Sequence, residues 1–153
     1  MKHLIKIFFS IMLFALSSFT LADGISIENT YVREVPPGQM TSAFFMILKN
    51  DSDKNIALIK ASSDVAKNVE IHEHIHEDGM MKMRQIEKVI LNAKSTTKLK
   101  PGGYHIMLIG LTRKIKAGDI IAITLEFDNG DKKEIKVEVK KIMAGMMDAM
   151  SSD

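Results

Sequence analysis

Cysteine is absent from this chain of 153 residues. That removes disulfides, catalytic thiols and iron–sulfur ligation, and with them a lipoprotein anchor built on a cysteine. A blue-copper electron-transfer centre is excluded on the same ground, because it needs a thiolate beside two imidazoles. Charge of one sign is also lacking. The chain has 21 Lys and Arg against 19 Asp and Glu, and the excess sits at Lys2 and Lys6. Without that basic start the protein is formally neutral, with no general attraction to nucleic acid or anionic lipid. The apolar run Ile7 to Leu16 is broken by Ser10 and followed by Ser17 and Ser18, too short for a membrane span. Between Gly24 and Lys141 no helical period lasts three turns. No nucleophile elbow or Ser–His–Asp signature occurs. A zinc hydrolase would need three N or O ligands, an open water position and a base, and His72, His74, His76 with Glu73 crowd one short segment. We expect no enzyme.

What is present begins with an export signal. Lys2 and Lys6 precede the apolar stretch, and Thr20-Leu21-Ala22 has the small-residue character of a signal peptidase site. Residues 1–22 are expected to be cleaved, leaving a periplasmic protein with no membrane anchor. Turn signals then recur at short intervals: Pro36-Pro37-Gly38, Asn50-Asp51, Asp78-Gly79, Pro101-Gly102-Gly103, Ala117-Gly118-Asp119 and Asn129-Gly130-Asp131. Between them lie short segments rich in Ile, Val, Thr and Phe. Ala43 to Leu48 is continuously apolar, as in a strand buried in a sandwich core. Ile120 to Phe127 and Lys133 to Val139 flank an Asn-Gly and form a hairpin. Asp64 to Val69 is compatible with one helical turn. Together these signals predict an all-β antiparallel sandwich over residues 23–141 as a single domain. A flexible tail, 142–153, carries Met143, Met146, Met147 and Met150.

Chemistry concentrates in two imidazoles and two thioethers, spaced His72-x10-Met83-x21-His105-x-Met107. His105 and Met107 are two apart in Tyr104-His105-Ile106-Met107-Leu108, so on a strand they share a face while Ile106 and Leu108 enter the core. Met81 and Met83 share a face in the same way, as do His72, His74 and His76 if that segment is extended. Thioether is a soft neutral ligand, and a set with no thiolate or carboxylate favours Cu(I) over zinc, magnesium or calcium. Any one methionine on a strand is usually core filler. Four of the five histidines, however, fall within or beside this pattern.

Three blocks carry a family resemblance: Val69-Glu70-Ile71-His72-Glu73, Asp78-Gly79-Met80-Met81-Lys82-Met83-Arg84, and Lys100-Pro101-Gly102-Gly103-Tyr104-His105-Ile106-Met107-Leu108. They resemble the signature segments of the periplasmic copper chaperones called PCuAC, as do Gly110-Leu111, Lys116-Ala117-Gly118-Asp119 and the strand Thr124 to Phe127. The resemblance implies a cupredoxin-like β-sandwich that binds Cu(I) through His72, Met83, His105 and Met107. It further implies delivery of copper to the CuA subunit of cytochrome c oxidase, or to an intermediary thiol copper chaperone that loads that centre. Neutral ligands suit handover, and protonation of His72 and His105 is expected to weaken binding below about pH 6.5.

Two features go beyond the four residues. His74 and His76, flanked by Glu73, Glu77 and Asp78, could hold a second ion, Cu(II) or zinc, or form a solvated loop. The tail methionines Met143, Met146, Met147 and Met150 could hold further Cu(I) or stay idle. These features keep open an alternative function, a periplasmic copper buffer with no dedicated client.

Overall fold

Side chains alternating with period two, interrupted at short intervals by turn-forming residues, favour strands along this chain. The computed structural model describes residues 24–141, in which ten strands form and no helix does. They are β1 (Ile25–Arg33), β2 (Thr41–Asn50), β3 (Ile56–Ser62), β4 (Ala66–Glu77), β5 (Met80–Gln85), β6 (Val89–Leu91), β7 (Ser95–Leu99), β8 (His105–Leu111), β9 (Ile120–Phe127) and β10 (Lys132–Lys140). The expected signal peptide, 1–22, and methionine tail, 142–153, lie outside the described residues.

The strands run in the order β5-β4-β8-β2-β1, then β10-β9-β3-β6, with β7 beside β2. Strands β8 and β7 divide one edge of β2 between them: β8 pairs Thr41 to Phe44 and β7 pairs Met46 to Asn50. The two layers join where β1 meets β10, with Val32 opposite Val139 and Arg33 opposite Lys140. That pair is parallel, so the antiparallel expectation needs this one correction. The remaining strand pairs are antiparallel.

Between the layers lies one apolar core. Phe44, Met46 and Leu48 of β2 and Ile106 and Leu108 of β8 belong to the same buried cluster as Leu58, Leu91, Ile123, Leu125, Phe127, Val137 and Val139. The hairpin expected around Asn-Gly forms as β9 and β10, with Ile121, Ile123, Leu125 and Phe127 buried and Ile120 and Ala122 exposed. A buried Asn50 fastens the end of β2, its amide donating to the carbonyls of Lys54 (2.7 Å) and Leu91 (2.9 Å).

Two local expectations change. Asp64 and Val65 form a turn, and β4 starts at Ala66, so no helical turn forms there. Ala43 to Leu48 is not a strand sunk wholly in the core. Phe44, Met46 and Leu48 face inward, whereas Phe45 is buried against Tyr31, with ring centroids 5.1 Å apart, and against His105. Ala43 and Ile47 are half-buried. The run is apolar throughout because its outer face packs under other side chains.

Candidate metal centre

Residues directly opposite on neighbouring antiparallel strands share a face of the sheet. The β4–β8 register sets His72 opposite His105 and Glu70 opposite Met107. The β4–β5 register sets His74 opposite Met83 and His76 opposite Met81. Because Ile106 and Leu108 fill the core, His105 and Met107 take the outer face, and their partners take it with them. Strand β2 adds Ala43, opposite Met107. The β4–β5 hairpin is held by a two-residue turn, Asp78-Gly79, with φ of 52° and 76°. A tight turn with two positive φ values is the type that suits strand twist, and Gly79 supplies one at no steric cost. The turn aligns Met83 with His74, on an edge strand that is exposed throughout.

His105 is the anchor, only 2% exposed. Its ring centroid lies 4.9 Å from that of His74, 5.9 Å from that of His72 and 6.3 Å from that of Phe45. A carbonyl oxygen only accepts, so the 3.0 Å contact with Gly103 O means that His105 Nδ1–H donates to it. The lone pair is then on Nε2, which faces Met83 Sδ at 3.2 Å. A thioether has no proton to give, so two electron-pair donors confront each other with no hydrogen between them. A tetrahedral ion with bonds of roughly 2.0 Å to N and 2.3 Å to S would hold such a pair about 3.5 Å apart. Parting by a few tenths of an ångström is within reach of a half-exposed methionine on an edge strand.

Burial lowers the His105 pKa from the usual imidazole value of 6.5; the Gly103 carbonyl pulls upward, and the neighbouring His74 and His72 push down again. The folded protein therefore favours the neutral ring. The stability this provides is present above the unfolded value and is lost as pH falls through the folded one. In an NMR titration of metal-free protein, the His105 ring is expected to reach its midpoint below pH 6.5. A midpoint at or above that value would contradict the burial argument.

His72 is held differently. Its Nε2–H donates to Glu70 Oε2 at 2.9 Å, and its Nδ1 is buried with no hydrogen-bond partner among the described residues. Leaving such a nitrogen unpaired costs about 1–3 kcal/mol, which a bound cation would remove. This orphaned donor, together with the facing His105 and Met83, fits a metal ion. Met107, half-buried, shares the face.

The other predicted residues are placed as follows. His74 lines the same cleft as Met83, His105 and Met107, a cavity of about 420 Å³ reaching Arg33 and Pro101. Its backbone N–H donates to Gly103 O at 3.3 Å, and its Nδ1 lies 3.4 Å from the same oxygen. His76 lies near the end of β4, opposite Met81. Glu73 and Glu77 alternate to the opposite face, where Glu73 pairs with Arg84 and Glu77 with Lys82 at 2.9 Å. They are not turned toward the histidines, and among the described residues no three His, Asp or Glu side chains are placed to hold a metal. Met143, Met146, Met147 and Met150 lie outside the described residues. Two groups were missed from sequence: Glu70, whose two-residue spacing from His72 would have placed it on the same face, and the Gly103 carbonyl, which no side-chain pattern reveals.

The β-sandwich is the fold of PCuAC domains. The copper-bound PCuAC domain from PmoF2 superposes with a TM-score of 0.66 at 22% identity, over 78% of this chain and 94% of that one. The solution structure of CuI-DR1885 from Deinococcus radiodurans is 31% identical, with a TM-score of 0.63 over 79% of each chain. Within that architecture the chain belongs to the LpqE-like family, described as "Putative lipoprotein LpqE-like", which it matches over residues 25–139. A relative in Leifsonia xyli subsp. xyli, "Putative lipoprotein Lxx21020", is 34% identical over 120 residues, 78% of this chain and 71% of its own length. "Uncharacterized protein RP573" of Rickettsia prowazekii is 33% identical over 99 residues, 64% of this chain and 55% of its own length.

Proposed function

We propose that this protein binds Cu(I) through His72, Met83, His105 and Met107 and carries it outside the cytoplasm to a client. The client we favour is the CuA centre of cytochrome c oxidase, or an intermediary thiol protein that loads it. The observation that carries the proposal is the pair of unprotonated donors, His105 Nε2 and Met83 Sδ, facing each other at 3.2 Å, with the His72 ring 5.9 Å from that of His105 and its Nδ1 orphaned. Soft neutral donors of this kind select a monovalent soft ion over hard cations. The Cu(I) named in the structure of the 31%-identical DR1885 is consistent with that choice. Export follows from the signal-like residues 1–22, and the lipoprotein names of relatives point to the same side of the membrane. We therefore place it in the periplasm.

Handover, rather than catalysis, suits the geometry. Four neutral ligands bind Cu(I) less tightly than thiolates, so a thiol-bearing client can take the ion by ligand exchange. Met83 is 51% exposed on an edge strand, which gives an incoming ligand a way in. A second reading, a copper buffer with no client, gains from Met80 and Met81, 59% and 51% exposed beside the site. It would recruit His74, His76 and the tail methionines for further copper, Cu(II) included. Deleting the gene separates the two. Loss of oxidase activity at low copper, restored by added copper, is expected for the carrier. Sensitivity to excess copper with normal oxidase activity would instead support the buffer.

A further inference from the structure

We infer that Glu70 is a positioning residue: by accepting the Nε2–H of His72 it selects the tautomer in which Nδ1 is the electron-pair donor offered to the site. The identity of the ion rests on the copper reading above; the tautomer does not. Three observations converge. The His72 Nε2 to Glu70 Oε2 distance is 2.9 Å, and a carboxylate can only accept there. Nδ1 is buried without a hydrogen-bond partner among the described residues. The β4–β8 register sets Glu70 opposite Met107, which keeps its carboxylate on the outer face, two residues from His72.

The choice of nitrogen has a geometric reason. The strand order β5-β4-β8 puts His72 on the middle strand, with Met83 on one flank and His105 and Met107 on the other. Neighbouring strands are about 4.8 Å apart, so an ion shared by all three must sit above β4. From the flanks a donor needs reach: His105 has it through Nε2, its Nδ1–H being spent on Gly103 O. From β4 itself, where His72 is level with His105 and His74 with Met83, a donor needs the short reach of Nδ1, the ring nitrogen nearest its own backbone. The two histidines thus offer opposite nitrogens, one tautomer fixed by a backbone carbonyl and the other by a side chain. The carboxylate also makes the His72 ring a stronger donor, as outer partners of ligating histidines do.

The test reads tautomer and affinity separately. Long-range ¹H–¹⁵N NMR of the metal-free wild-type protein is expected to show His72 protonated on Nε2 and His105 on Nδ1. In Glu70→Leu, His72 becomes a tautomer mixture and Cu(I) affinity, measured anaerobically against a competing chelator, falls about 10–100-fold. Glu70→Gln, whose amide oxygen can accept the same hydrogen bond, keeps the tautomer and most of the affinity; it also serves should the leucine variant not fold. Wild-type His72 protonated on Nδ1 overturns the inference. So does a Leu variant that changes tautomer with no loss of affinity, or one that changes neither. If the wild-type protein binds no Cu(I), the functional reading falls, and the tautomer in the wild type and the Gln variant still decides the role of Glu70.

Discussion

Replacing Met83 and Met107 together by Leu is expected to leave the protein folded and to abolish its tight Cu(I) equivalent. Met83 is 51% exposed on β5, and Met107 is half-buried on the outer face of β8, so neither change opens the core. Exchange of Met for Leu at such positions costs less than about 1.5 kcal/mol. The sulfurs, by contrast, are half of the proposed donor set. Loss of a partner to a ligand typically costs 10–100-fold in metal affinity, so loss of two ligands should cost more than about a hundredfold. Anaerobic titration against a competing chelator measures the difference. A tight equivalent that survives would move the ion to His74 and His76 or to the tail methionines, and would favour buffering.

The largest stability effect is expected at Phe44. It is fully buried between the layers and pairs with Ile106, the neighbour of His105 on β8. Truncation to Ala removes a ring from a close-packed core and leaves a cavity, at about 3–5 kcal/mol. For a domain of this size that lowers the melting temperature by roughly 10–20 °C. Chemical denaturation should report the same loss with an unchanged slope. A loss under about 1 kcal/mol would mean that the layers do not pack through β2 as described.

Much of the arrangement can be read from period and punctuation. His105 and Met107 had to share a face once Ile106 and Leu108 were committed to the core, since strand side chains alternate strictly. The Asn-Gly hairpin and the Asp78-Gly79 turn follow from residues that tolerate positive φ. What the sequence could not supply was register between distant strands. That His72 lies opposite His105, across 33 positions of chain, is a property of β4–β8 pairing that no local pattern encodes. Hydrophobicity misled at Phe45, because a side chain that packs under the site and one that fills the core look alike in sequence. The acidic neighbours Glu73 and Glu77 flank the histidines in sequence, yet alternation turns them to the far face, onto Arg84 and Lys82. Glu70, an acid at even spacing, is the one that reaches an imidazole.

X-ray absorption at the copper edge of anaerobically Cu(I)-loaded protein tests the site most directly, because it counts nitrogen and sulfur neighbours without any mutation. Two nitrogens and two sulfurs in the first shell are expected from His72, His105, Met83 and Met107. A shell of nitrogen and oxygen alone, with no sulfur, would contradict the site.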